Sequence, residues 1–215
     1  MTHSVDLFWS FRSPYSYLAV PRIIDIEATY DIAVNVRPVY PIAIRTPEFF
    51  KHVNPKWPPY LFHDTKRMAD YLGMPYVWPD PDPVVMSLTT MDIPDQQPYI
   101  HRLTRLGIAA VEHGHGLAFI REISQVIFSG TTNWHEGSHL ANAAVKAGLD
   151  LAELDAEIED NPDHFEAEIN ANQEALDASG HWGVPTMVYK GEPFFGQDRI
   201  DVCLWRMQND DLQMR

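Results

Sequence analysis

The sequence contains a single cysteine, Cys203, among its 215 residues. One cysteine cannot form an intramolecular disulfide, and it cannot supply a Cys-x-x-Cys redox pair or a structural zinc site. Cys203 falls within a predicted C-terminal helix, where a buried structural thiol is the usual case. The chemistry of this chain must therefore depend on other groups.

Basic residues are also scarce, with 16 Lys and Arg against 30 Asp and Glu, for a formal net charge of −14. Binding to phosphate backbones depends on basic side chains that displace counterions, so we do not expect a nucleic-acid partner. Eleven of the acidic residues lie between Asp150 and Asp177, where no Lys or Arg occurs. This segment predicts two solvated helices whose apolar faces carry Leu151, Leu154 and Ile158, and Phe165, Ile169 and Leu176.

Long hydrophobic runs are absent, because no stretch approaches the roughly 18 apolar residues of a membrane-spanning helix. The N-terminal residues also lack the basic region and apolar run of a signal peptide. We therefore expect a cytoplasmic protein with no membrane partner. A hydrophobic content of 45% is ample for a packed core, and the length suits one domain, or one domain that carries a large insertion.

The two ends of the chain show the pattern of an α/β protein. A short strand at residues 5–9 precedes a helix, and a β-branched run follows at 32–36, which is the spacing of a parallel βαβ unit. Near the C-terminus, residues 186–189 and 192–195 flank Lys190 and Gly191 and predict a β-hairpin, followed by a closing helix from Asp198. These elements together predict a thioredoxin-like fold.

The middle of the chain predicts an all-helical insertion. Twelve of the 17 prolines lie between Pro38 and Pro98, so this region should be mostly irregular, with one helix at about 60–72. Helical periodicity follows at 99–114, 117–128, 135–148 and 163–179. We therefore predict a thioredoxin-like domain formed by residues 1–40 and 181–215, and a helical insertion domain at 41–180.

The tetrapeptide Ser13-Pro14-Tyr15-Ser16 directly follows the first strand. Serine is a preferred N-cap and proline suits the first helical position, so these residues begin a helix on local physics alone. A helix N-terminus also favours an anion, because free backbone N–H groups and the helix dipole point at it. The thioredoxin fold normally carries Cys-Pro-x-Cys here, and both cysteine positions are serine in this chain.

Two segments carry a resemblance to a known family. Residues 8–19, FWSFRSPYSYLA, look like the N-terminal signature of the 2-hydroxychromene-2-carboxylate isomerases and kappa-class glutathione transferases, a branch of the DsbA-like proteins. Residues 183–186, GVPT, together with 195–200, FGQDRI, are similar to the second signature of that family. Two signatures in the right order at opposite ends of the chain are more specific than either alone.

The resemblance implies a glutathione site at which Ser13 is catalytic, because its hydroxyl donates a hydrogen bond to the glutathione sulfur. Lowering a thiol pKa by about two units requires only about 2.7 kcal/mol of preference for the thiolate, which one charged hydrogen bond and a helix N-terminus can largely supply. The resemblance also implies that Pro185 is cis and that Val184 pairs with the cysteinyl backbone. The remaining glutathione-binding candidates are Tyr15, Asn54, Gln197 and Asp198, with Asp198 accepting the γ-glutamyl ammonium group.

The activity implied is a glutathione-dependent isomerisation in aromatic catabolism. A thiolate adds reversibly to a hydroxychromene-carboxylate-like acid, the ring opens, and elimination regenerates glutathione. A kappa-like transferase and a non-catalytic DsbA-like protein that binds thiols or peptides are the alternatives, and a homodimer is the family expectation. The family's aspartate before the serine is replaced by Ser10, which suits an anionic substrate. The carboxylate of such a substrate could meet any of four cations: Arg12, Arg45, Lys51 or Lys56.

A rival motif occurs at residues 135–139, HEGSH, which matches the H-E-x-x-H pattern of zinc proteases. Asn133 followed by Glu136 resembles a capping box, so the motif is expected in the first turn of a helix. Gly137 weakens the helix further, and a chance match is common in a chain with ten histidines. We therefore predict no metal site.

Overall fold

The computed structural model describes residues 3–87 and 89–215. A four-stranded sheet with the order β2-β1-β3-β4 forms its centre. The strands are β1 (His3–Trp9), β2 (Ile32–Pro38), β3 (Thr186–Tyr189) and β4 (Glu192–Phe195). β1 pairs in parallel with β2 and antiparallel with β3, and β3 pairs antiparallel with β4. The predicted βαβ unit and β-hairpin are therefore confirmed.

Ten α-helices surround the sheet. They are α1 (Pro14–Thr29), α2 (Ile42–Arg45), α3 (Phe49–His52), α4 (Trp57–Leu72), α5 (Ile100–Glu112), α6 (Gly116–Phe128), α7 (His139–Lys146), α8 (Leu151–Asp160), α9 (Pro162–Ala178) and α10 (Ile200–Gln208). The count refers to the described ranges of the chain. The acidic segment forms α8 and α9 as predicted, and their apolar faces are buried.

Strand β1 is central and is covered on both faces, as expected for a strand with parallel and antiparallel neighbours inside an α/β fold. Alternate side chains point to opposite faces of a strand. Leu7 and Trp9 join the main core cluster, whereas Phe8 packs with Leu176 of α9 and Val39. Because β1 is fixed from both sides, the turn that follows it has a defined position at the carboxyl end of the strand.

The proline-rich region contains more helix than expected. The short helices α2 and α3 were not predicted, and α4 begins at Trp57 rather than Tyr60. Pro58 and Pro59 lie in the first turn of α4, where a backbone N–H has no helical acceptor and its loss costs little. The closing helix also differs, because a 3-10 turn (Gln197–Arg199) precedes α10.

The boundaries proposed for an insertion domain stay a prediction. Helices α2 to α9 do lie in sequence between β2 and β3, but one hydrophobic core cluster includes residues from both parts.

In the part of the chain that the structure describes, no helix combines the length and apolarity needed to cross a membrane.

Only the last residue of the H-E-x-x-H motif lies in a helix, so the prediction that the motif occupies the first turn of a helix is wrong. Helix α7 begins at His139. Asn133 has a φ of 51°, a left-handed conformation, whereas an N-cap typically has extended backbone. His135 and His139 are therefore not one helical turn apart. No group of three potential metal-ligating side chains occurs among residues 3–87 and 89–215.

Candidate functional site

A cavity of about 1260 Å³ lies where β1 ends and α1 begins. Its walls come from the start of α1, from α2 to α4, from the loop after α4 and from the loop before β3. Of the predicted site residues, Ser13, Tyr15, Asn54 and Val184 line it. A set of aromatic side chains forms much of the wall: Phe49, Phe50, Trp57, Phe62, Trp78, Trp182 and Phe195.

Ser13 is the N-cap of α1, as its sequence context predicted. Its Oγ accepts a hydrogen bond from the backbone N–H of Ser16 at 3.2 Å, and Pro14 occupies the first helical position. The same hydroxyl donates to the carbonyl of Val184 at 3.3 Å. A serine hydroxyl has one proton that rotates to suit its acceptor. Ser13 therefore has a proton that can turn from this long hydrogen bond to another acceptor in the cavity.

The Val184-Pro185 peptide bond is cis, as the family resemblance implied. The carbonyl of Val184 is not free, because it accepts the Ser13 hydroxyl. The N–H groups of Val184 and Tyr15, in contrast, have no acceptor in the described part of the chain. Pro185 itself does not line the cavity. The site thus offers two unpaired backbone donors, from residues that line the same cavity as Ser13.

Tyr15 holds α4 against the beginning of α1. Its hydroxyl donates a 2.6 Å hydrogen bond to Oδ2 of Asp64 in α4. Burial, reinforced by the Asp64 carboxylate, raises the pKa of Tyr15 well above its usual range, so the phenol stays protonated. Its side chain therefore forms part of the cavity wall, and its backbone N–H is the group available to a ligand.

Asn54 lies in the turn between α3 and α4 and is exposed at the cavity edge. Its Oδ1 accepts the backbone N–H of Lys56 at 3.0 Å, and its carbonyl accepts that of Trp57. These contacts fix the turn before α4. They leave the amide NH₂ of Asn54 as the group that can donate to a ligand.

Gln197 and Asp198 are not brought together with Ser13 in the cavity lining. Gln197 is buried, and the Arg22 guanidinium donates to its backbone carbonyl at 2.7 Å and to its Oε1. Asp198 is exposed and forms an ion pair of 2.8 Å with Arg199. The side chain of Gln197 is therefore occupied by its hydrogen bond from Arg22, whereas Arg199, which pairs with Asp198, is exposed.

The four candidate cations occupy different environments. Arg12 forms two hydrogen bonds of 2.8 and 2.9 Å with Asp82, so its charge is already balanced. Lys51 pairs with Glu48 and Asp92 at 3.1 and 2.9 Å. Lys56 is exposed and does not line the cavity. Arg45 lines the cavity, and its hydrogen bonds go to backbone carbonyl groups.

Sequence reasoning missed Asp64, Asp82 and the aromatic wall. Asp82 lies in a proline-rich loop and Asp64 in the middle of α4, and no local pattern indicates the side chain that either one binds. Trp57 and Trp182 are 125 positions apart in the sequence, and only the fold brings both to one cavity. A cluster of aromatic residues at 49–62 was the one signal in the sequence that could have indicated part of this wall.

The sheet, the N-capping serine and the cis-proline loop facing it define a thioredoxin-fold protein without a redox-active cysteine pair. The chain belongs to the DsbA-like thioredoxin domain family, which matches residues 4–208. No curated protein matches the sequence.

Several solved structures share the fold. A 2-hydroxychromene-2-carboxylate isomerase superposes with a TM-score of 0.71 at 20% identity, over 97% of this chain and 98% of that one. A probable DsbA oxidoreductase from Streptomyces coelicolor has a TM-score of 0.62 at 18% identity, over 91% and 84%. The cytosolic disulfide reductase DsbM from Pseudomonas aeruginosa, solved with GSH, has a TM-score of 0.56 at 15% identity, over 88% and 87%.

Proposed function

We propose that the protein is a glutathione-dependent isomerase of aromatic acids that resemble 2-hydroxychromene-2-carboxylate. The observation that carries this proposal is the contact of Ser13 Oγ with Val184 at the N-terminus of α1, beside a cavity with an aromatic wall. The isomerase that shares the fold acts on such an acid by name, which is consistent with the proposal. A disulfide exchange reaction is disfavoured, because Ser13 and Ser16 replace both cysteines.

Glutathione fits the donors that the site leaves unpaired. The N–H of Val184 has no acceptor in the described chain, and it can donate to the cysteinyl carbonyl of glutathione. The N–H of Tyr15 lies at the first turn of α1, where helix geometry favours negative charge. Asp198 would hold the γ-glutamyl ammonium group, since its ion pair with Arg199 is exposed and easily exchanged.

The hydroxyl of Ser13 then acts as a switchable donor. Without a ligand it donates to Val184 O, and a peptide N–H can replace it on that carbonyl. The freed O–H can turn to a thiolate while Oγ keeps its hydrogen bond from Ser16 N–H. Accepting that N–H polarises the hydroxyl and makes it a better donor. When bound, glutathione supplies a thiolate that adds reversibly to an electron-poor carbon of the substrate and leaves again.

The aromatic wall positions the substrate and excludes water from it. Phe49 and Trp182 lie with ring centroids 5.2 Å apart, and Phe62 and Trp78 with centroids 4.6 Å apart. Flat bicyclic ligands pack against such rings in offset or edge-to-face arrangements. A less polar environment also strengthens the hydrogen bond from Ser13 to a developing charge.

The test is turnover of 2-hydroxychromene-2-carboxylate, followed by its ultraviolet absorbance with substoichiometric glutathione. We expect many turnovers per glutathione, and a large loss of kcat in Ser13→Ala with a small change in glutathione affinity. Consumption of one glutathione per product would indicate a kappa-like transferase instead. Absence of turnover with retained glutathione binding would leave a non-catalytic thiol-binding protein.

A further inference from the structure

Among the described residues, the Lys and Arg side chains that line the cavity are Arg12, Arg45 and Lys51. Carboxylates balance two of them, since Arg12 pairs with Asp82 and Lys51 with Glu48 and Asp92. Arg45 has no ion pair in the described part of the chain, so of these three it is the cavity cation without a carboxylate partner.

The guanidinium of Arg45 is held in a fixed position by two separate segments. Its Nε donates to the carbonyl of Tyr40, just after β2, at 2.7 Å. Its Nη2 donates to the carbonyl of Trp182, just before β3, at 2.8 Å. Nη1 has no partner among the described residues. The planar fork is therefore oriented in advance, with donors to spare for a planar acceptor such as a carboxylate.

Backbone carbonyl groups orient a charge without neutralising it. Arg45 is half-buried, and this burial lowers the pKa of its guanidinium, although Asp177 at the end of α9 acts in the opposite direction. A partly desolvated cation gains most from an anion that enters its pocket, because folding has already removed water from the cation. The surroundings of Arg45 thus favour binding of an anion.

The neighbours of Arg45 indicate what kind of anion fits. Trp182, whose carbonyl binds Arg45, has its ring 5.2 Å from that of Phe49, and Phe49 lies 6.3 Å from Trp57. All three rings line the cavity. An acid with an apolar body can place its ring against this wall and its carboxylate at Arg45.

We propose that Arg45 is the carboxylate-binding residue of the cavity and that it sets the preference for acids. The proposal rests on the proposed function, which supplies two possible carboxylates: that of the aromatic substrate and the glycyl carboxylate of glutathione. Both present the same planar acceptor to the guanidinium. The experiment below distinguishes them and does not depend on turnover.

Binding is measured by calorimetry with two matched pairs of probes. One pair is chromone-2-carboxylate, an unreactive bicyclic acid, and its methyl ester. The other is glutathione and its glycyl ethyl ester. In the wild-type protein at least one acid should bind more tightly than its ester. Arg45→Gln should weaken that acid by roughly 10- to 100-fold and leave its ester unchanged, since a hydrogen bond to a charged group is lost.

Two further variants control for charge and folding. Lys56→Gln removes the same charge beside the cavity from a residue that does not line it, so it should bind all four probes normally. Arg45→Lys keeps the charge but loses the planar fork, and should show an intermediate loss. If Arg45→Gln fails to fold, Arg45→Lys and the acid-to-ester ratio of the wild-type protein decide the question.

A loss confined to chromone-2-carboxylate identifies the substrate carboxylate as the ligand of Arg45, and a loss confined to glutathione identifies the glycyl carboxylate. Equal binding of acid and ester in both pairs overturns the proposal, as does an equal loss in Lys56→Gln and the Arg45 variants. If acids are preferred through Arg45 but no isomerisation is detected, the proposed function fails and the role of Arg45 stands.

Discussion

Replacing Ser13 with alanine removes two interactions that have separable consequences. The first is the helix cap, in which Oγ accepts the Ser16 N–H at 3.2 Å. Loss of an N-cap hydrogen bond costs about 1 kcal/mol of the free energy of unfolding. The second is the rotatable hydroxyl, which donates to Val184 O and on our proposal turns to the glutathione thiolate. Only the second loss should alter the chemistry of a bound thiol.

The size of the chemical effect follows from the strength of one charged hydrogen bond. Such a bond contributes about 1.5–3 kcal/mol, and one pKa unit corresponds to about 1.4 kcal/mol. The pKa of the bound glutathione thiol should therefore rise by about one to two units in Ser13→Ala. The N–H of Tyr15 and the helix N-terminus remain, so the pKa should stay below that of free glutathione.

The assay is a pH titration of the thiolate ultraviolet absorbance with glutathione bound, paired with urea unfolding of each variant. Asp150→Ala is the matched control, because Asp150 caps α8 through a hydrogen bond of 2.8 Å to the N–H of Ala152 and does not line the cavity. It should lose similar stability and leave the thiol pKa unchanged. If the thiol pKa is the same in Ser13→Ala and the wild-type protein, Ser13 is only a cap and the reasoning is refuted.

Three further predictions concern the surroundings of the site. Burial raises the pKa of Cys203 to about 12, so iodoacetamide at neutral pH should alkylate it only after unfolding; mass spectrometry showing rapid labelling of the folded protein would contradict this. Gly183→Ala places a Cβ 2.4 Å from a ring carbon of Phe195, so the ring must move and calorimetry should show weaker binding of chromone-2-carboxylate. Arg12→Ala breaks a largely buried pair with Asp82 and should lower the urea-derived unfolding free energy by about 2 kcal/mol; an unchanged midpoint would refute this.

The sheet and the long helices could be predicted because each has a local signal. The strand at 5–9, the β-branched run at 32–36 and the two strands around Lys190 follow from side-chain alternation and turn chemistry, and β3 and β4 match their predicted bounds. The proline-rich region was harder, because proline signals a break in the middle of a helix but is favourable in its first turn. Helix α4 illustrates this ambiguity, because it begins at Trp57 with two prolines in its first turn, whereas the sequence predicted a start at about residue 60.

The site was only partly predictable for a different reason. Ser13 stands out because its neighbours in sequence specify both its N-cap conformation and its position after β1. The partners of charged side chains depend on contacts between distant segments, and no local pattern reports them. The sequence does not distinguish Arg12 from Arg45, since both are arginines. In the fold, Arg12 pairs with a carboxylate, whereas Arg45 donates to two backbone carbonyl groups.

The chain provides donors for anions but no accessible thiol. Ser16 fills the second cysteine position with a fully buried side chain, and Cys203 is fully buried in α10. A net charge of −14 disfavours anions at long range, but exposed charges are largely screened beyond about 8 Å at physiological salt. The unpaired N–H groups near Ser13 and the guanidinium of Arg45 act over hydrogen-bond distances. On our proposals, local donors inside a cavity with an aromatic wall, and not the overall charge, select a thiolate and a carboxylate as the ligands of this site.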